Sequence, residues 1–339
     1  SSALSISTIS PARRLTSDIH SFGKLLTAAA TLSYGLIVLG SLVRATNSGL
    51  SCPDWPLCHG QAVPMFDVHI FLEWFHRLVA GSLGCVMTFA IVKLAKKPDL
   101  RRTFGLQIAA AALLLCIQIV LGGLTVLHLL DPKTVNAPLV NAMMFFTVLL
   151  WMAFKARRLA AIPERSEGSF APLRNGTVPV ALKRSFIALT ALIFLQIGLG
   201  GMVSSNYAGL ACPDFPTCFG KWLPPPSFPL VIQMLHRGIA FAVLALGAAL
   251  ARFALTMDLP PATRLAAKLV PTLIIVQILL GMINVFFALP IWASVSHLAN
   301  AAAIYSLMVL ASLELAATKA ATASRSAGAS TLTLGNTPA

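Results

Sequence analysis

The segment GSLVRATNSGLSCPDWPLCHG at residues 40–60 recurs as GGMVSSNYAGLACPDFPTCFG at residues 200–220, an offset of 160 (200 minus 40). The same offset places the dipeptide His-Arg at 76–77 on the His-Arg at 236–237. Two segments of this length with matched cysteines, prolines and glycines are difficult to reach by chance. We therefore predict that the chain consists of two repeated halves.

The composition indicates a membrane protein. Of the 339 residues, 57% are hydrophobic and only 11% are charged, whereas soluble domains carry about 25% charged residues. The apolar residues form blocks long enough to cross a bilayer, which takes roughly 20 helical residues. Lipid offers no partner for an unpaired backbone, so each block is expected to be a helix, and the scarcity of charge excludes a soluble bundle. The eight predicted spans are at about 24–44, 68–92, 105–127, 136–154, 184–204, 229–251, 268–288 and 292–314.

The spans divide equally between the two repeats. An even number of spans in each gives parallel repeats related by an axis along the membrane normal. We predict an all-α membrane protein whose eight transmembrane helices form two tandem four-helix bundles related by pseudo-two-fold symmetry. The predicted parts are a cytoplasmic N-terminal tail (1–23), an N-terminal bundle (24–155), a cytoplasmic linker (156–183), a C-terminal bundle (184–315) and a disordered C-terminal tail (316–339).

The distribution of the basic residues indicates the membrane topology. A net charge of +14 would suit a nucleic-acid partner if it were clustered on one surface. Instead, most Lys and Arg residues follow the second, fourth and sixth spans, and the alternate loops carry little beyond Lys133 and Lys221. Positively charged loops stay in the cytoplasm, so both termini are predicted to be cytoplasmic and no nucleic-acid partner is expected.

The cysteines of the repeated segment lie in extracytoplasmic loops by this topology. Cys52 and Cys58 share one loop, and Cys212 and Cys218 share its repeat. Close thiols outside the cytoplasm favour disulfides, here Cys52–Cys58 and Cys212–Cys218. Zinc ligation by all four cysteines is the alternative, and it would require the two loops to meet.

Three histidines lie within the predicted spans. Ionisable side chains are costly there and are functional candidates by default. His76 and His236 occupy equivalent positions in the second and sixth spans, and His297 lies near the start of the eighth. A single such histidine often serves only as a helix–helix hydrogen bonder. Two equivalent histidines and a third on a facing span favour metal or haem-iron ligation, with His236 and His297 as one axial pair.

The N-terminal half lacks the matching pair. Beyond the second span the offset falls to 159, and Pro138 then aligns with His297 (297 minus 159). Proline has no ligating side chain, although a first helical turn tolerates it. His128 and Asn141 are the alternative candidates for a second ligand beside His76.

A carboxylate distinguishes the same half. Glu73 precedes His76 by three residues, so both lie on one helix face. Its repeat partner is Gln233, which cannot exchange a proton in the same way. Glu73 therefore marks the N-terminal half as the place of the chemistry, unless it merely forms an interfacial ion pair with Arg77 or Arg44.

Arginines lie near the outer ends of the spans. A guanidinium can bind a carboxylate through paired N–H donors, which makes Arg44, Arg77 and Arg237 candidates for binding haem propionates. Anchoring at the membrane interface suits the same residues equally well.

These motifs together resemble haem A synthase, the membrane enzyme that converts haem O to haem A for cytochrome oxidase. The resemblance spans about residues 25–315, and the paired Cys-Pro-Asp loops with Glu-Trp-Phe-His-Arg are quite specific to that family. The similar stretches are VRATNSGLSCPDWPLCHG, EWFHR, IQIVLGGLTV, AGLACPDFPTCFG, MLHR and SHLANA.

The resemblance implies oxidation of the C8 methyl group of haem O, through an alcohol, to the formyl group of haem A. It implies haem b as a cofactor on His236 and His297 and substrate haem O bound at His76. Glu73 would be required for the oxidation. The departure from the family is Pro138, where a fourth histidine is expected.

Other implications concern the loops and the surroundings. The Cys52–Cys58 pair would form a redox-active or structural disulfide in exchange with a thiol reductant. Implied partners are haem O, the lipid bilayer, haem O synthase and oxidase assembly factors, in a bacterial-type cytoplasmic (inner) membrane. Two other functions fit the residues. A di-haem b electron carrier between quinol and a thiol pair would need no difference between Glu73 and Gln233, and a transporter built from parallel repeats would bind no haem.

Overall fold

The structure, a computed structural model, describes the backbone of residues 11–127, 132–161 and 178–330, and the side chains of 14–127, 135–161 and 178–318. Long helices account for most of these residues. They are α1 (Pro11–Ala45), α2 (Val68–Ala95), α3 (Pro98–Leu127), α4 (Pro132–Ala160), α5 (Val180–Ser205), α6 (Phe228–Ala254), α7 (Pro261–Phe286) and α8 (Ile291–Ser330), with a short 3₁₀ helix at Ala208–Leu210.

Eight helices are long and apolar enough to cross a membrane. This confirms the predicted all-α membrane fold with eight spans. The turn between α7 and α8 is short, as expected, and both Ala288 and Leu289 take left-handed backbone angles there (φ 53° and 61°). Such angles end one helix sharply and allow the next to begin two residues later.

The helices extend further than the predicted spans at both ends of the described chain. α1 begins at Pro11, inside the predicted tail 1–23, where proline suits a first helical position. α8 continues through Ser330, inside the predicted disordered tail 316–339, because this stretch is rich in alanine, the strongest helix former. The predicted tail boundaries therefore do not coincide with the ends of the helices.

The helices pack into two compact units. One contains α1, α2, α3 and α4 from residue 141 onward, and the other contains residues 132–140 of α4 with α5 to α8. In the first unit, Tyr34 of α1 lies 6.3 Å from Phe146 of α4, ring centroid to ring centroid. In the second, Phe194 of α5 lies 5.9 Å from Tyr305 of α8. Each unit thus contains the same aromatic pair at repeat-equivalent positions, with tyrosine and phenylalanine exchanged.

Two asparagine side chains, one in each unit, connect neighbouring helices in the same way. In each unit, an asparagine donates both to a backbone carbonyl and to a glutamine side chain of the preceding helix. These bonds run from Asn141 Nδ2 to Leu114 O (2.9 Å) and Gln118 Oε1 (2.7 Å), and from Asn300 Nδ2 to Leu273 O (2.9 Å) and Gln277 Oε1 (2.8 Å).

Candidate functional site

His236 of α6 and His297 of α8 face each other inside the second unit. Their ring centroids are 6.4 Å apart and the rings are inclined by 58°. Each ring also packs closely against a glycine of a neighbouring helix. A Cβ on Gly200 of α5 would lie 3.0 Å from His236, and a Cβ on Gly281 of α7 would lie 3.3 Å from His297. Among the described residues, the Nδ1 atoms of both rings are buried and lack a hydrogen-bond partner. The His297 ring also lies against the Gln277 backbone of α7, so a contact between helices and a free ring nitrogen occur together there.

The spacing of the two rings fits one metal ion between them. Two imidazoles that each bond a metal at about 2 Å through a ring nitrogen have centroids about 6 Å apart. Among the side chains that the structure describes, no group of three or more His, Cys, Asp or Glu is placed to hold a bare metal ion. An iron already held by a porphyrin needs only these two axial ligands, and therefore fits this donor set.

His76 of α2 has similar surroundings on one side only. A Cβ on Gly40 would lie 3.3 Å from its Nε2, just as Gly200 approaches His236. The repeat equivalent of Gly281 is Gly122, and a Cβ there would meet nothing within 4 Å. Among the residues whose side chains the structure describes, none takes the place beside Gly122 that His297 takes beside Gly281.

The asparagine contacts fix the register of Pro138. Asn141 and Asn300 make the same two hydrogen bonds within their units. Pro138 lies three residues before Asn141, as His297 lies three residues before Asn300, and it is inside helix α4. The amide nitrogen of Asn141 already donates two hydrogen bonds to α3, which weighs against Asn141 as a substitute ligand. The other candidate, His128, lies outside the described residues.

Glu73 lies at the junction between α2 and the first cysteine loop, and it is only 5% exposed. Its Oε2 accepts a hydrogen bond from Cys52 N (2.8 Å), and its Oε1 accepts one from Arg77 Nη2 (2.6 Å). Gln233 occupies the equivalent position but instead donates to Gly209 O (3.1 Å), and its Oε1 is buried without a partner. The carboxylate thus connects a loop cysteine to the helix that carries His76, and the amide does not.

Arg77 and Arg237 hold their cysteine loops against the helices. Each guanidinium donates to three backbone carbonyls of its loop, and these contacts favour a loop-holding role over the predicted binding of propionates. Arg44 remains a propionate candidate, in the last turn of α1. The bonds are Arg77 Nη1 to Asp54 O (2.6 Å) and Leu57 O (2.5 Å), Arg77 Nη2 to Cys52 O (3.0 Å), Arg237 Nη1 to Asp214 O (2.7 Å) and Thr217 O (2.5 Å), and Arg237 Nη2 to Cys212 O (3.0 Å).

An aspartate closes each loop from within. Both carboxylates accept two backbone N–H groups, namely Asp54 from His59 (2.6 Å) and Gly60 (2.8 Å), and Asp214 from Phe219 (2.6 Å) and Gly220 (2.8 Å). The bond from Gly60 is the main cause of a lowered pKa for Asp54. The Thr217 hydroxyl also donates to Asp214 (2.5 Å) and is the main reason why the pKa of Asp214 falls to about 2.

Each loop contains one disulfide, Cys52–Cys58 or Cys212–Cys218. The sulfurs are therefore bonded to each other, and the zinc alternative does not describe this structure. Sequence reasoning identified these cysteines but missed the aspartates and the part played by the arginines. The signal was present, since each Arg lies 25 residues after the first Cys of its loop in both halves.

Comparison with known proteins agrees with these observations. A family model described as cytochrome oxidase assembly protein, COX15-CtaA, matches residues 23–309. The heme A synthase of Shewanella oneidensis is 31% identical, over 79% of this chain and 88% of its own length. Those of Rhizorhabdus wittichii (27% identical, 81% of this chain and 88% of its own) and Methylobacterium radiotolerans (28%, 83% and 86%) are similar as well. Because the family match covers most of the chain, the chain belongs to the COX15-CtaA family of cytochrome oxidase assembly proteins.

Proposed function

We propose that this protein is a haem A synthase, which oxidises the C8 methyl group of haem O to a formyl group for cytochrome oxidase. The observation that carries the proposal is the facing pair His236 and His297, whose 6.4 Å spacing and unpartnered ring nitrogens suit an axially ligated haem. The family match and the name of the curated relatives support the same activity.

In this proposal, His236 and His297 hold a haem b cofactor. The bound haem supplies one-electron transfer, the usual chemistry of a haem with two protein ligands. The protein contributes the geometry, because Gly200 of α5 and Gly281 of α7 leave space for the two histidine rings beside those helices. It also contributes an apolar environment, since the spans that carry the histidines have mean hydropathies of 1.7 and 1.6.

Substrate haem O is proposed to bind in the N-terminal half, with His76 as its ligand. The lack of any described side chain beside Gly122 and the absence of a histidine at Pro138 support ligation from one side. Glu73 is the proposed proton-exchanging group, one helical turn from His76 on the same face. Arg77 and Cys52 N fix both carboxylate oxygens and so orient the group.

The multi-pass topology is proposed to place both termini in the cytoplasm of a bacterial-type inner membrane, with the cysteine loops outside. The supporting observation is the positive charge of the alternate loops. A membrane-impermeant thiol reagent should label the loop cysteines in intact cells, and only after reduction of the disulfides. Labelling that requires broken cells would show the opposite orientation. We also propose that the Cys52–Cys58 disulfide exchanges with a thiol reductant and that a haem O synthase delivers haem O to this protein.

Pigment analysis tests the function directly. The full-length protein is expressed with a source of haem O, and haems B, O and A are extracted from the purified protein and separated by chromatography. A haem A synthase yields haem B with haem A or its alcohol precursor. Haem B alone, in a preparation shown to have received haem O, would contradict the proposal.

A further inference from the structure

A cavity of about 730 Å³ lies between α1 and α2 in the first unit. It differs from the histidine and loop contacts described above, and no role has been assigned to it so far. We call it the α1–α2 groove. Its principal lining residues are Thr27, Thr31, Gly35 and Leu39 from α1, with Phe75 and Val79 from α2.

The surface of the groove is apolar despite its threonines. The Thr27 hydroxyl donates to Gly23 O (2.8 Å) and the Thr31 hydroxyl donates to Thr27 O (3.0 Å). Because these donors are already used within the helix, the polar character of the groove is confined to Lys24 at its far end. Lys24 and Leu39 mark its extent on α1, and 15 positions of helix (39 minus 24) correspond to about 22 Å. The groove is thus long, narrow and suited to a hydrocarbon chain.

One end of the groove adjoins the proposed substrate ligand. Phe75 and Val79 lie immediately before and one turn after His76 on α2. Leu39 precedes Gly40, the residue against which the His76 ring packs. From this end the groove follows α1 toward its N-terminus, so a chain attached to a porphyrin at His76 could enter it directly.

The repeat provides an internal comparison. Gly40 and Gly200 each approach the histidine of their own half, which fixes the offset of 160 between α1 and α5. At this offset Gly35 corresponds to Leu195 and Thr27 to Ile187. Both larger side chains point outward, with exposed fractions of 64% and 52%. At these two positions the half proposed to hold haem b has the larger side chain, whereas Thr31 corresponds to the smaller Ala191.

We propose that the α1–α2 groove receives the isoprenoid tail of haem O. The inference rests on the proposed function, and it assigns the groove to the one feature that separates haem O from the tailless haem B. Gly35 and Thr27 leave room for the tail along α1, and the equivalent positions of the other half carry the larger Leu195 and Ile187. A bilayer acyl chain is the other apolar molecule that could lie there, and the experiment below separates the two.

Gly35→Leu gives the sharpest test, because it introduces the residue of the other half at a position where a Cβ meets nothing within 4 Å. Gly81→Leu is the matched control, since Gly81 also has open space around its Cβ but does not line the groove. The full chain, purified with haem b in place, is titrated separately with haem O and with haem B, and the haem b spectrum reports that the fold is intact.

The groove assignment predicts that Gly35→Leu weakens haem O binding by about tenfold or more, since a few methylene groups lose their contacts. Haem B binding should stay within about twofold, and Gly81→Leu should leave both affinities unchanged. Equal haem O affinity in Gly35→Leu and the parent would overturn the assignment, as would a parallel loss of haem O and haem B affinity. A change only in co-purified lipid would assign the groove to the bilayer instead. If the parent binds haem O tail-dependently but never converts it, the groove assignment is supported while the proposed function fails.

Discussion

The two halves hold their cysteine loops with the same bonds, but they present their histidines differently. Arg77 and Arg237 donate to the same three loop carbonyls, and the distances agree within about 0.1 Å. In the second unit His236 faces His297, whereas no described side chain takes the equivalent place beside Gly122 in the first unit. The two halves thus share their loop contacts and differ in their histidines.

This difference in histidines is the one expected if one half binds a cofactor and the other half binds a substrate. Two axial ligands hold an iron firmly, which suits a haem that stays. A haem that must enter, react and leave is released more readily from one ligand. Glu73 adds a second difference, since its equivalent Gln233 has no charge and leaves its oxygen unpaired. Each prediction below changes one half toward the other or removes what distinguishes it.

The largest effect is expected from the facing histidines. If His236 and His297 hold haem b as proposed, His236→Ala or His297→Ala removes one of its two ligands, and each variant should lose most of its low-spin haem b absorbance. His76→Ala is the matched control and should retain that absorbance, because His76 belongs to the other half. An unchanged low-spin spectrum in both C-terminal variants would refute the assignment of the pair.

Glu73→Gln makes the first half resemble the second. If Glu73 exchanges protons with the substrate, conversion of haem O should fall by about 10²–10⁴-fold, the usual contribution of such groups. Glutamine keeps one oxygen for Cys52 N but loses the bond from Arg77. Because Arg77 still donates to three loop carbonyls, the loop should remain in place and haem b should stay bound. Separation of accumulated haem O from haem A by chromatography measures the effect.

The reciprocal change is the control. Gln233→Glu should leave conversion within about twofold, because position 233 does not act on the substrate, and Arg237 one turn on can pair with the new carboxylate. Normal haem A formation by Glu73→Gln would show that the contacts of Glu73 with Cys52 and Arg77 are purely structural.

Much of this architecture follows from local sequence patterns. Hydrophobic length alone gives eight spans, and the offsets of 160 and 159 identify the histidines and Pro138 as equivalent positions. The loop contacts were not predicted: the Cys-to-Arg spacing of 25 residues repeats in both halves, but spacing does not give the direction of a side chain, which is set by tertiary packing. The α1–α2 groove could not be predicted for a different reason. A glycine and a threonine in an apolar helix indicate a groove only when the position of the neighbouring helix is known.

Pro138→His would restore the ligand pattern of the second half. Position 138 precedes Asn141 by three residues, just as His297 precedes Asn300, so it is the repeat equivalent of His297. We expect haem O to bind several-fold more tightly, on the order of 1 kcal/mol, and to become low-spin. Optical titration with haem O measures both, and Leu139→His, one position along, is the control. Unchanged affinity and spin state would mean that position 138 does not reach the substrate iron.

The smallest effect concerns the acid stability of the loops. Hydrogen bonds lower the pKa of Asp54 and lower that of Asp214 to about 2, and only Asp214 has the added Thr217 hydroxyl. A carboxylate whose pKa is lowered in the folded loop stabilises that loop at every pH above the pKa of the same group in the unfolded chain. This contribution is lost as the pH falls through the folded-state pKa. The stabilisation should therefore persist to lower pH in the second loop than in the first.

Amide hydrogen exchange followed by mass spectrometry can compare the two loops in one sample. Between pH 5 and about 2.5, after correction for intrinsic rates, Gly60 and His59 should lose protection before Gly220 and Phe219, because a protonated carboxyl is a weaker acceptor. Thr217→Val should raise the pH at which the second loop loses protection, since it removes the main cause of the low pKa of Asp214. If both loops lost protection at the same pH with and without the Thr217 hydroxyl, the loops would be held by Arg77, Arg237 and the disulfides alone.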